Sequence, residues 1–336
     1  MEMSTATQTL TVTAADVEAA RKRISPYVRK TPLERSEKLS VIAGVEVYLK
    51  LENKQEAGSF KPRVSFSKLL TMDEQERARG VIASTAGGHG MGLSLAGSKL
   101  GVPVHIYLPH NADAAKVDFM KRHGAKLTFF SSVEEARLAA TERARSKSLT
   151  FISAYNDPFV IAGGGTVALE ILEDNPQIDL IIVGVGGGGI ASGMGIALAA
   201  SRPDAQVWGV QPESNAVLRD WLEHGRPVDG DYGPSIADGL GAHIERDSIT
   251  FPLAQRYVQN MLTVTDEEII DAMAWLKREQ EMLIEPSGAA PVAALMKAQL
   301  PGWVREVAVV ITGGNINPKR FDDLLRTRRN GDDASR

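Results

Sequence analysis

Three observations in this sequence predict an α/β fold of two domains with parallel-rich open sheets flanked by helices. Short apolar, β-rich runs alternate with stretches of helical periodicity along nearly the whole chain, as in a parallel sheet with helical crossovers. Glycine-rich loops follow several of those runs directly, as they do where a strand hands over to a helix. At 336 residues the chain has the length of about two domains.

The elements follow in order. Thr13-Ala14-Ala15-Asp16 reads as a capping box, with Val17, Ala20 and Ile24 at helical spacing behind it. Val45–Leu51 alternates as a strand does. Further strands are expected at Val81–Ala83, Val104–Leu108, Lys126–Phe130, Leu149–Ile152, Leu180–Val185, Gln206–Val210 and Val307–Ile311. Helices are expected between them at Gly92–Leu100, Ala114–His123, Val133–Ser146, Thr166–Glu173 and Glu267–Glu279. The ordered chain is expected to end near Leu325, leaving a polar tail and no C-terminal regulatory domain.

Composition excludes several classes of function. The net charge of −4 and the lack of a basic block give no case for nucleic acid. With no cysteine, disulfides, thiolate catalysis and Cys-ligated zinc are ruled out. The six histidines form no HExxH pair, and no metal site is expected. Met1 to Thr11 is polar and lacks the layout of a secretory signal. Leu180 to Ala200 is uncharged and long enough to span a bilayer, yet holds seven glycines. Glycine costs about 1 kcal/mol relative to alanine inside a helix. A buried strand, a loop and a helix over Ile190–Ala200 are expected there instead, and the cytoplasm is the default location.

Four motifs carry chemistry. Most of the 38 Lys and Arg are expected to be surface charges. Lys61, however, follows Gly58-Ser59-Phe60, a turn and an aromatic that can wall an apolar cleft. Burial lowers a lysine pKa and frees the neutral amine for Schiff-base chemistry. The four consecutive glycines Gly186 to Gly189 lead into a helical stretch, a naked backbone loop suited to a phosphate dianion. One amine and one such loop are what pyridoxal phosphate needs. The same residues also satisfy GxGxxG from Gly184, with Glu213 near the spacing of a ribose-binding acid, so a dinucleotide site stays open. Ser84-Thr85-Ala86-Gly87-Gly88-His89-Gly90 suits a substrate carboxylate, held by N–H groups and the Thr85 hydroxyl. It also reads as a capped turn with a packed His89. Thr312-Gly313-Gly314-Asn315 puts a hydroxyl at a strand end.

With these motifs, Thr31-Pro32-Leu33, the run Ile161–Ile171, Ala237-Asp238-Gly239 and Glu285–Ala290, the chain resembles a known family. It is similar to the fold-type II pyridoxal-phosphate enzymes, in particular the serine/threonine ammonia-lyase (threonine dehydratase) branch, from Val12 to Leu325. The resemblance implies a tryptophan synthase beta-like architecture. Residues 12–76 and 158–325 would form a large cofactor domain, residues 77–157 a small substrate-loop domain, and residues 1–11 and 326–336 tails. It implies that Lys61 is the Schiff-base lysine, Phe60 packs beside the cofactor ring and Gly186, Gly187, Gly188 and Gly189 hold the phosphate. Thr312 would face the pyridine nitrogen and Gly88 would lie at the cofactor. Ser84, Thr85, Ala86, Gly87 and His89 would receive the substrate. A homodimer or higher homo-oligomer is expected.

A hydroxyl opposite the ring nitrogen does not keep it protonated, which favours β-elimination over transamination. Lys61 is the natural base for the Cα proton. The expected reaction converts a β-hydroxy α-amino acid, threonine or serine by default, to a 2-oxo acid and ammonia. Ala86 disfavours racemisation, because serine racemases of the family carry a proton-transferring serine there. Gly88 stands where the family has Asn, Val64-Ser65 where it has Gly-Ala, and Gly164 where Gln is common. The alternatives are a bulkier 3-hydroxy amino acid substrate, β-replacement or racemisation on this fold, an NAD-dependent oxidoreductase, and a catalytically degenerate binding protein.

Overall fold

The computed structural model of the chain describes residues 12–85, 87–241 and 243–334, with side chains as far as residue 328. Ten strands are present among them: β1 (Leu33–Arg35), β2 (Glu46–Lys50), β3 (Val81–Ser84), β4 (Val104–Pro109), β5 (Lys126–Phe130), β6 (Thr150–Phe151), β7 (Leu180–Gly184), β8 (Gln206–Pro212), β9 (Asn260–Val264) and β10 (Glu306–Val310). The helices are α1 (Ala14–Ile24), α2 (Glu37–Ala43), α3 (Lys61–Leu69), α4 (Glu74–Arg79), α5 (Gly88–Leu100), α6 (Ala114–Arg122) and α7 (Val133–Lys147). They continue with α8 (Pro158–Asp174), α9 (Gly189–Ser201), α10 (Val217–His224), α11 (Thr250–Tyr257), α12 (Asp266–Gln280), α13 (Pro286–Lys297) and α14 (Pro318–Ala334).

The strands form two sheets. The larger runs β1-β2-β10-β7-β8-β9, parallel except for β1, and the smaller runs β5-β4-β3-β6, parallel throughout. Strand β7 shows why the central runs are so apolar. Ile181 and Val183 face Val17, Ile161 and Met194 of α1, α8 and α9. Leu180 and Ile182 face Met273, Leu276 and Val292 of α12 and α13. A parallel strand covered on both sides has no polar face to keep. In the smaller sheet, Val81, Ala83 and Ile106 pack against Phe66, Leu93 and Met120, while Ile82 meets Ala140 and Ala144. The uncharged Leu180–Ala200 segment is strand, loop and helix, and no described helix is long and apolar enough to cross a membrane.

Helix α8 begins at Pro158, well before the expected Thr166. Asp157 caps it by accepting from the Phe159 and Val160 N–H groups. The triple glycine inside it answers to close helix packing. A Cβ on Gly163 would stand 2.8 Å from the Arg63 carbonyl oxygen in α3, and one on Gly165 2.5 Å from that of Gly193 in α9. The chain also does not stop being ordered at Leu325. Helix α14 runs on to Ala334, and Arg328 reaches Asp271 of α12 at 3.0 and 3.1 Å. Strands β1 and β9, at the two edges of the larger sheet, were not expected from the sequence.

A buried cluster of charges ties α3 to the rest. Arg63, 1% exposed, donates to Glu52 at 2.8 and 2.9 Å and to both Glu170 oxygens at 2.7 Å. Lys50 donates to Glu170 at 2.8 Å and to the Thr31 carbonyl at 2.7 Å, and the Thr31 hydroxyl donates to Glu52. Burial opposes the Arg63 charge, but Glu52 and Glu170 outweigh it and hold the guanidinium protonated. Breaking a buried pair leaves a charge uncompensated and costs about 3–5 kcal/mol. Arg63→Met is therefore expected to lower the unfolding free energy in urea by about that amount. Arg145→Met, which removes an exposed pair with Glu142, is expected to leave it nearly unchanged. Equal effects of the two substitutions would contradict this account.

Candidate active site

Lys61 is the first residue of α3, and a short strap puts it beside the end of β10. The Phe60 N–H donates to the Thr312 carbonyl at 3.0 Å, and the Gly314 N–H to the Gly58 carbonyl at 2.9 Å. Ser59 and Gly313 pair between them as an isolated antiparallel bridge. Gly58 makes the turn with a φ of +65°, a conformation L side chains rarely adopt. Helix α5 covers the other side, where a Cβ on Gly92 would stand 2.7 Å from the Lys61 carbonyl carbon. Phe60, the other half of the motif, lies with its ring centroid 4.8 Å from the Lys61 amine.

This enclosure changes the amine. Although the Lys61 side chain keeps some solvent access, protein crowds its nitrogen, and desolvation lowers the pKa to about 8, against a weak opposing pull from Glu285. A drop of that size raises the neutral fraction at neutral pH by roughly two orders of magnitude. His89 is nearly fully buried, and burial, then the Lys61 charge, push its pKa down to about 3. Its Nε2 lies 3.1 Å from the Ile152 carbonyl, which can only accept, so Nε2 carries the hydrogen. Nδ1 is left as a buried acceptor without a partner.

The loop ahead of α5 is only partly as expected. Ala86 lies outside the described residues. Ser84 ends β3 with its hydroxyl buried and unpartnered. The Thr85 hydroxyl accepts from the Gly87 N–H at 3.1 Å, which leaves its own hydrogen free to donate. Gly88 and His89 are not loop residues but the first turn of α5, where backbone N–H groups have no intrahelical acceptor. Gly88 opens a gap beside the lysine, since a Cβ there would stand 3.7 Å from Lys61 Cγ and 3.9 Å from Ser59 Oγ. That Ser59 hydroxyl is also buried without a partner.

The glycine tetrad joins β7 to α9, with Gly188 at φ +89° as the N-cap. Among the described residues, none accepts a hydrogen bond from the N–H of Gly186, Gly187 or Gly188. Gly189 adds a first-turn N–H. The Tyr155 ring lies against this loop so closely that a Cβ on Gly187 would fall onto it. Tyr155, whose phenol burial pushes up to about 12, donates to the His243 carbonyl at 3.2 Å and accepts from the Glu245 N–H at 3.1 Å. Thr312, 6% exposed, has its hydroxyl 3.5 Å from the Ser287 carbonyl, too long for a firm bond. The Ser287 hydroxyl accepts from the Gly239 N–H at 2.9 Å, so two of the sequence motifs pack on one another.

The structure thus gathers Phe60, Gly88 and His89 beside Lys61 and ties Thr312 to the Phe60 backbone. It leaves the tetrad as a second feature whose Gly186, Gly187 and Gly188 N–H groups have no acceptor among the described residues. Residues the sequence did not single out join them. Tyr155 lies on the tetrad, and the Lys116 ammonium is 3.2 Å from Glu285. Glu285 was legible only as part of its motif; nothing in the local pattern marks Tyr155 or Lys116. No described group of three or more His, Asp or Glu could hold a metal ion.

Comparison with known proteins defines the class. Residues 24–313 match the family described as pyridoxal-phosphate dependent enzyme. The chain is 37% identical over 316 residues to an L-threonine ammonia-lyase of Thermotoga maritima, covering 94% of this chain and 78% of that one. It is 36% identical over 319 residues to an L-threo-3-hydroxyaspartate ammonia-lyase of a Pseudomonas species, covering 93% and 98%. A solved structure of maize serine racemase superposes with a TM-score of 0.88 at 28% identity, covering 95% and 98%. The protein belongs to the pyridoxal-phosphate dependent enzymes of fold type II.

The residues present fit that cofactor. Unpaired N–H groups at a helix N-terminus suit its phosphate dianion, and a desolvated amine suits its aldehyde. Only the neutral amine attacks an aldehyde. The rate at which apoprotein captures pyridoxal phosphate is therefore expected to rise as pH passes through about 8 and level off above it. A rate still climbing toward about pH 10, the range of an ordinary lysine, would contradict the burial argument.

Proposed function

We propose that this protein is an ammonia-lyase that eliminates water from a 3-hydroxy α-amino acid, threonine or serine by default, and yields a 2-oxo acid and ammonia. The observation that carries the reading is the Lys61 amine, desolvated to a pKa of about 8 and tied by the Phe60 backbone to Thr312. In this reading Lys61 holds the cofactor, Gly186 to Gly189 take its phosphate and Phe60 flanks its ring. Thr312 offers the ring nitrogen a neutral hydroxyl. When bound, pyridoxal phosphate supplies an aldehyde for the amino group and a ring that withdraws electrons from the α-carbon, an effect that beside a neutral hydroxyl favours loss of a β-substituent.

The chain's own residues do the rest. Lys61, neutral in an appreciable fraction near pH 8, takes the proton from the substrate's α-carbon. The N–H groups that open α5 and the Thr85 hydroxyl hold the α-carboxylate. His89, fixed by its bond to the Ile152 carbonyl, walls the pocket beside Lys61. Alanine at position 86 has no proton to give, which speaks against racemisation. The two sheets support a division into a large unit, 12–76 with 158–325, and a small one, 77–157, with Lys61 in the large unit and the carboxylate loop in the small one. The resemblance to ammonia-lyases is the ground for a cytoplasmic homodimer.

The test is a panel of 3-hydroxy amino acids given to the cofactor-loaded protein, with oxo acid and ammonia measured. At least one, threonine or serine first, is expected to release both in equal amounts, and Lys61→Ala is expected to lose roughly a thousandfold or more in rate. A loaded protein that releases oxo acid from no member of the panel would sink the reading.

A further inference from the structure

Lys116 is a lysine that the mechanism above does not use, and it stands at the substrate loop. It occupies the first turn of α6, which Asp113 fixes by accepting from the Ala115 and Lys116 N–H groups at 2.9 and 3.3 Å. From there the side chain, 12% exposed, lies across Gly87. A Cβ on Gly87 would stand 3.2 Å from Lys116 Cδ and 3.3 Å from Nζ. A side chain on Gly87 would need the space that the lysine stem takes.

Its partner is just as telling. Glu285 is the N-cap residue of α13, yet its side chain makes no capping bond. It turns instead to Lys116, with an N–O distance of 3.2 Å. Burial raises the Glu285 pKa against the pull of Lys116, and the Glu285 charge also acts on Lys61. The Lys116 ammonium therefore lies between a carboxylate of the larger-sheet unit and the loop that opens α5. Next along the chain is His89, buried and with its Nδ1 unpartnered, in the first turn of α5, where N–H groups have no intrahelical acceptor. The next acid along, Asp238, is already occupied, with Arg320 donating to both its oxygens at 2.9 and 3.0 Å.

We propose that Lys116 is a substrate-binding residue whose ammonium takes the α-carboxylate of the amino acid, with Glu285 as the positioning residue that holds it aimed when no substrate is present. This rests on the ammonia-lyase reading. Backbone N–H groups alone bind a carboxylate through partial charges. A full positive charge in a largely desolvated site adds a charge-assisted bond. On binding, the substrate carboxylate competes with Glu285 for the same ammonium. The two substitutions therefore act in opposite directions. Lys116→Met removes the cation, and Glu285→Gln removes the competing anion while leaving an acceptor to hold the lysine in place.

The experiment is steady-state kinetics on holoenzyme with serine, threonine and 3-hydroxyaspartate, with cofactor loading followed by absorbance and thermal midpoints recorded. Lys116→Met is expected to raise KM roughly 10- to 100-fold for all three substrates at unchanged cofactor loading. Lys116→Arg is expected to restore most of the loss. Glu285→Gln is expected to lower KM, roughly threefold or more. If Lys116→Met does not fold, the Lys116→Arg and Glu285→Gln results decide: KM near wild type in the first and lowered in the second support the proposal. Unchanged KM in Lys116→Met, or both substitutions weakening substrate and thermal stability together, would show a structural clasp and overturn it. So would a KM rise confined to 3-hydroxyaspartate, which would give the ammonium to a distal acid. A wild-type enzyme inactive on every substrate would instead refute the ammonia-lyase reading, a distinct result.

Discussion

Arg63 and the carboxylates that grip it are the constraint on which the site depends. The guanidinium is shared by Glu52, which follows β2, and Glu170, on α8, and the same acids hold Thr31 and Lys50. Four charges, two of each sign, are thereby locked among an N-terminal segment, the larger sheet and two helices. Lys61 lies two residues before Arg63 on the same helix, so no rotation of α3 moves the amine without tearing the cluster. Such a network adds little net stability, since desolvating its charges offsets most of their attraction. What it supplies here is a single position for one nitrogen.

Glycine does the complementary work. In α8 and α9, Gly163, Gly165 and Gly193 let three helices meet backbone to backbone, at about 1 kcal/mol of helix propensity each. The same closeness sets the start of α9 on α8, with the Gly189 carbonyl oxygen 3.6 Å from where a Cβ on Gly164 would stand. In α5, Gly92 lets that helix lie on Lys61. Val64, where the family pattern has Gly, fits because Gly163 faces it: a Cβ there would stand 2.9 Å from Val64 Cα. The close approach is kept, with the glycine supplied by the opposite helix. Gly164, where Gln is common, faces α9 instead, with its would-be Cβ 3.0 Å from Ile190 Cα.

The central architecture was readable because β7 and its neighbours are buried on both faces and so are apolar without interruption. The edges were not. Strand β1 is Leu33-Glu34-Arg35 with only its first residue half-buried, and β9 is mostly half-exposed. Helix α3 escaped notice for another reason: its buried positions include Arg63, Ser65 and Ser67, which erase the apolar period. Helix α13 hides behind Pro286 and Pro291, and α14 is polar nearly all round. Lys61, Thr312 and the tetrad were legible because their motifs are local. Tyr155 and Lys116 were not, since what gives each its place is a residue far away in sequence, Gly187 for one and Glu285 for the other.

The claim at the centre is that one nitrogen out of all those on the chain carries the cofactor. Borohydride reduction of the loaded protein, followed by peptide mapping, tests it directly. The account predicts a stable pyridoxyl label on the peptide holding Lys61 and on no other. A label on Lys116, on Lys50 or spread over surface lysines would contradict it.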